Sequence, residues 1–89
     1  MNKHQKLRRE LVESKMAWWY QGTEMRLKTI YAIVAVLYYE WCDDEDIRHQ
    51  DGYTVKWKHH TRLALNELKR NGIISKVNPD KKDGLWVKA

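Results

Sequence analysis

The chain has little with which to staple or interrupt itself: one cysteine, one proline and four glycines in 89 residues. A lone Cys42 excludes an intramolecular disulfide and a multi-cysteine zinc site, and fits a reducing cytosol. Few breakers combined with 43% hydrophobic and 33% charged residues make the composition that of a globular domain and not of a disordered tail. Phenylalanine is absent while Trp and Tyr number five each, so the large rings carry polar edges that need a partner or water. Long apolar runs are missing too. The longest, Ile30 to Tyr39, covers about ten residues where a bilayer span needs roughly 20. Met1-Asn2-Lys3-His4-Gln5-Lys6 lacks the apolar segment of a signal peptide, so a soluble cytoplasmic protein with no membrane partner is expected.

What is present is positive charge. Seventeen Lys and Arg against twelve Asp and Glu leave a formal +5, and the pI is near 9.4. That balance favours polyanionic partners: nucleic acid first, an acidic membrane surface second, an acidic protein third. Length allows one domain, 1–89, with a helical extension over 1–22 and a core over 23–89.

Residues 2 to 16 read as an exposed helix with a sparse buried stripe, Leu7, Leu11 and Met16. Trp18, Trp19 and Tyr20 before Gly22 suit either the end of that helix or a short extended piece pairing with a later sheet. With Thr23 as cap, Leu27, Ile30, Ile33, Val34, Leu37, Tyr38 and Trp41 follow steps of three and four, which predicts a helix over 24–41. Val36 and Tyr39 lie on its other side, so it is expected at the centre, packed on two sides. Asp43-Asp44-Glu45-Asp46-Ile47 suits the first turn of a short acidic helix, ended by a turn at Asp51-Gly52. From Thr54 an amphipathic helix buries Trp57, Thr61, Ala64, Leu65 and Leu68 and stops at Asn71-Gly72. Ile73 to Val77 and Leu85 to Lys88 are strand-forming runs around the turn-rich Asn78 to Gly84, a hairpin with a basic tip.

This element order predicts an α+β, mainly α fold: a winged helix-turn-helix, with a three-helix bundle, a C-terminal two-stranded β wing and an extra N-terminal helix. Opposite the Trp57, Ala64 and Leu68 stripe lie His59, Arg62, Asn66, Lys69 and Arg70. Arg pairs bidentately with guanine and Asn with adenine, so Arg62 and Asn66, with His59, are the candidate base readers. Lys56, Lys58 and His60 at the helix start, Lys69 and Arg70 at its end, and Lys81 and Lys82 on the wing are candidate phosphate contacts. The expected partner is therefore double-stranded DNA, and a homodimer is left open.

The segment WKHHTRLALNELKRNGII and the hairpin ending DGLWVK carry a family resemblance. Leu68, Lys69, Arg70, Asn71, Gly72, Ile73 and Ile74, then Gly84 and Trp86, resemble the N-terminal winged-helix domain of Mrr-type restriction endonucleases. The run from Ile30 through Asp44-Glu45-Asp46-Ile47 looks like that family's scaffold helix and acidic turn, so the likeness spans about residues 24 to 89. It implies a DNA-targeting module of a restriction system, one that reads foreign or modified DNA while its nuclease lies in a separate domain or partner. The residues before Thr23 have no clear counterpart there. A free-standing transcriptional regulator and a winged helix used for protein–protein interaction are the alternatives.

Other chemistries find less support. Consecutive acids at 43 to 46 do not converge on a cation and lack the glycine and terminal glutamate of a calcium loop. His59 and His60 are adjacent and so point about 100° apart on a helix, which does not chelate zinc. Cys42 reads as a small packed residue and not a nucleophile. No cofactor, no metal and no catalytic residue are expected. Trp18 to Tyr20 and Tyr38 to Trp41 suit packing in the core or an interface better than a cage for a flipped modified base.

Overall fold

The computed structural model describes residues 1–43, 46–49 and 52–89, with backbone alone at 46–49 and 52–54. Among them the chain forms an α+β globule, mainly helical, with three α-helices and a three-stranded antiparallel sheet.

Helix α1, Lys3–Glu13, begins at a capping box: the Asn2 side chain accepts from the Gln5 amide at 2.9 Å and Gln5 accepts from the Asn2 amide at 3.0 Å, satisfying two otherwise orphan donors. Its buried stripe is Leu7 and Leu11, joined by His4. After Glu13 the chain turns through Lys15 and Met16, both at left-handed φ (55° and 49°), a conformation rarely taken by residues with a side chain. The Lys88 ammonium reaches back from the last strand and donates to the carbonyls of both, which anchors the turn. Met16 and Trp19 are buried there, and the Trp19 indole donates to the Thr23 carbonyl at 2.8 Å.

Strand β1, Glu24–Arg26, precedes α2, Leu27–Leu37. This corrects the expected helix over 24–41: Thr23 caps nothing, and the helix starts after Arg26 without a side-chain cap. Pairing with a later strand recruits residues 24–26, a tertiary demand that local spacing does not reveal. A single 3-10 turn, Tyr39–Trp41, follows the helix. The expectation that α2 packs on two sides also fails. Ile30 and Val34 are fully buried, but Val36 and Leu37 are 73% and 52% exposed.

The expected acidic helix is absent where the structure can be described. Asp46–His49 forms β2, paired antiparallel with β3, Gly52–Val55, from Asp46 opposite Val55 to His49 opposite Gly52. Asp44, Glu45 and Asp51 lie outside the described residues. Thr54, expected to open the reading helix, belongs to β3, and α3 runs over Lys56–Arg70. Acids favour a helix start, but Ile47 in β2 and Tyr53-Thr54-Val55 in β3 are strand formers, and here the two strands pair.

Helix α3 buries Trp57, Thr61, Ala64, Leu65 and Leu68, the face expected. It ends as Asn71-Gly72 predicts: Gly72 takes φ +76°, the Ile73 amide donates to the Leu68 carbonyl at 2.9 Å and the Gly72 amide to the Lys69 carbonyl at 3.1 Å. These bonds satisfy the last open carbonyls of the helix. Strands β4, Ile74–Lys76, and β5, Leu85–Lys88, form the hairpin, and β1 adds on the far side of β5, giving the order β1-β5-β4. The sheet therefore has one strand more than the hairpin expected. Gly84 sits at φ +66° where a Cβ would lie 3.3 Å from Leu27 Cβ, and its carbonyl accepts the Leu27 amide at 2.8 Å. The hairpin is thus locked to the start of α2.

Among the described residues one core cluster joins these elements, and it includes Leu7, Leu11, Met16 and Trp19. Helix α1, foreseen as an extra helix, packs directly along α3. No helix among the described residues is long and apolar enough to cross a membrane.

Candidate nucleic-acid interface

The apolar side of α3 is fixed against the core, which leaves its opposite side to solvent. Arg62, Asn66, Lys69 and Arg70 are all exposed there, as the helical spacing predicts. The sole acid of α3, Glu67, is half-buried at the edge of this stripe and faces Arg8 of α1 at 3.8 Å. Within α3 the uncovered stripe therefore carries Arg62, Lys69 and Arg70 and no acidic side chain. Lys69 and Arg70 also sit in the last turn of the helix, where cations complement the macrodipole.

The start of α3 is arranged differently from the sequence expectation. Lys58 lies over two rings, Tyr31 of α2 at 5.5 Å and Trp57 at 5.6 Å, and those rings meet edge to face at 5.8 Å. The ammonium is held on an aromatic shelf at the junction of α2 and α3 by cation–π attraction. Burial pushes the Tyr31 hydroxyl above its usual pKa, and the positive charge of nearby Arg62 partly opposes this. Lys56 is half-buried.

His60, expected to contact phosphate, instead turns toward α1. Its ring stacks on that of His4 at 6.0 Å, and its Nδ1 is buried without a hydrogen-bond partner. Burial, followed by the neighbouring His59, His4 and Arg8, holds its pKa below the usual imidazole value. His59 is half-buried and meets His60 edge to face at 5.6 Å. His4 in turn shares Asp43 with Lys3, its Nε2 lying 3.0 Å from one carboxylate oxygen. Asp43 thus ties α1 to the chain after α2, where a helix cap was expected.

The hairpin tip exposes Lys81 and Lys82, as expected. Its shape comes from Asp83, which accepts from the Leu85 amide at 3.1 Å and from the Asn78 side chain at 2.8 Å. Those bonds hold the Asp83 carboxyl below its ordinary pKa. Its lone pairs are engaged within the loop, while the two lysines remain at the surface.

Cys42 lies half-buried with its thiol toward the Val34 carbonyl at 3.8 Å. Burial, then the adjacent Asp43 charge, pushes its pKa up to about 11, so it stays protonated near neutral pH. Among the described residues, no group of three His, Cys, Asp or Glu side chains is placed to hold a metal ion. The aromatic runs divide: Trp19 is buried, Trp18 stacks on it at 6.2 Å, and Trp41 stacks on Tyr38 at 5.9 Å, but Tyr20 and Tyr39 are largely exposed. The aromatic shelf, the His4–His60 stack and the Lys88 anchor carry no spacing signal, because each joins elements far apart in sequence.

Comparison of the chain with protein-family models, with curated proteins and with solved structures finds no match.

Proposed function

We propose that the protein binds duplex DNA as a winged helix, with α3 in the major groove and the β4–β5 hairpin as the wing on the flanking backbone. The observation that carries this reading is the acid-free exposed stripe Arg62, Asn66, Lys69 and Arg70. The sheet order β1-β5-β4 supports it by placing the basic hairpin next to the strand that leads into α2. Arg62 and Asn66 stand one turn apart and match guanine and adenine edges respectively. Lys69, Arg70, Lys81 and Lys82 supply sequence-independent contacts to phosphate, joined by Lys58 from its aromatic shelf. His59 flanks the base-reading pair, and His60 is assigned to the α1–α3 contact.

The resemblance of Leu68 to Ile74 and of Gly84 and Trp86 to Mrr-type domains extends the proposal. The module targets a restriction-type nuclease to foreign or modified DNA, acting as a binding module while catalysis resides elsewhere. Binding to unmodified and methylated duplexes at two salt concentrations tests both levels. The proposal expects affinity to fall steeply with salt, with a log–log slope that counts the phosphate contacts. Salt-independent binding, or none, overturns the DNA reading. Equal affinity for methylated and unmodified duplexes removes only the modified-base assignment.

A further inference from the structure

The core leaves a second stripe uncovered, on α2, and its chemistry is the reverse of that on α3. Thr29, Ala32, Ile33, Val36 and Leu37 line a shallow, almost wholly apolar groove. Val36 is 73% exposed, and Tyr39 just beyond the helix is 70% exposed. Apolar surface gathered on one helix face, instead of scattered singly, marks a contact site. The groove is flanked by charge of opposite sign: exposed Arg26 and Lys28 at the N-terminal end, exposed Glu40 at the C-terminal end.

We infer that this face pairs with the same face of a second copy of the chain, the two α2 helices lying antiparallel about a twofold axis. A dyad level with Val34 sets Ala32 against Val36 of the second copy within the helix, and an antiparallel pair brings the Arg26 and Lys28 end of one copy toward the Glu40 end of the other. A twofold interface requires such reciprocity, since residue i meets j and j meets i. A parallel pair would instead oppose Lys28 to Lys28. The small side chains of Thr29 and Ala32 allow the axes to approach to about 8 Å, the short end of helix packing. One short helix and one tyrosine per copy make a small interface, of the size found in weak or transient contacts.

The dimer is tested without DNA. Its consequence, two reading helices related by a dyad and so two half-sites of twofold symmetry, rests on the proposal above, and the two fail separately. Sedimentation velocity on the full chain from about 1 to 200 µM should give a concentration-dependent shift from monomer to dimer. Val36→Glu should remain monomeric throughout with unchanged circular dichroism, because the side chain is exposed. Lys28→Glu and Glu40→Lys should each weaken the dimer about tenfold by opposing like charges, and the two together should restore it. A monomer at every concentration, as expected if this face binds a different protein, overturns the inference. So does a dimer indifferent to Val36→Glu, or a double charge swap that fails to recover association.

Discussion

Helices α2 and α3 both bury one side in the same core and both leave a stripe uncovered, yet the stripes differ in kind. That of α3 carries Arg62, Asn66, Lys69 and Arg70, and that of α2 carries Thr29, Ala32, Val36 and Leu37. The buried sides are dictated by folding, whereas the uncovered sides are not, so the uncovered residues carry the information about partners. A polar stripe is at ease in water, and its assignment to DNA rests on geometry and charge sign. An apolar stripe is not, because water is excluded from it only when something covers it.

The largest effect expected is on the shared core. Leu68 is 1% exposed, and Leu68→Ala should cost about 2 to 5 kcal/mol through lost burial and a residual cavity. That is a large fraction of a small domain's stability. A melting temperature equal to the parent's would mean that the two sides of α3 had been exchanged, and the comparison would collapse. On the hairpin, replacing Lys81 and Lys82 together by Ala should weaken all duplexes alike and shallow the salt slope by up to about two units. An unchanged slope would remove the hairpin from the proposed interface and leave α3 alone.

A smaller effect concerns the seam between α1 and α3. His60 in the folded chain has a pKa below its usual 6.5, so the unfolded chain binds more protons across that window. The stability this contributes is present above about pH 6.5 and is lost as pH falls through that value toward the lower folded pKa. Thermal melts at about pH 7.5 and about pH 5 should show a drop that His60→Gln reduces. Equal drops would place the acid-sensitive contact elsewhere. The smallest effect belongs to the α2 stripe: Val36→Ala should change monomer stability by under about 0.5 kcal/mol, measured by denaturant unfolding under dilute conditions. A core-sized loss would show that the stripe is already covered within one chain.

The same contrast explains what could be read in advance. Within α3 the polar and apolar residues alternate at helical spacing with little overlap, so its buried face and its Asn71-Gly72 stop were both legible. Nearly every residue of α2 is apolar or small, so spacing could not separate a buried side from an exposed one, and the helix was expected to be packed on both. Glu24-Met25-Arg26 continues the same periodicity, and only the pairing of Met25 with Trp86 makes it a strand. The acids after Cys42 suit a helix start by charge alone, and the pairing of Ile47 with Thr54 that overrides it joins residues seven apart on two strands. Of the candidate site, exposed residues followed from helix geometry. The displacement of His60 toward His4 did not, because it depends on α1 lying along α3.

The proposed function turns on the exposed stripe of α3 reading base edges. Competition binding of the parent, Arg62→Ala, Arg62→Lys and Asn66→Ala against duplexes carrying single base substitutions tests it most directly. Arg62→Ala should lower discrimination at one base pair by about 1 to 3 kcal/mol, and Asn66→Ala should do so at a neighbouring one. Arg62→Lys should recover overall affinity better than selectivity, since an ammonium lacks the planar two-pronged donor. Equal losses on every duplex, or no loss on any, would contradict it.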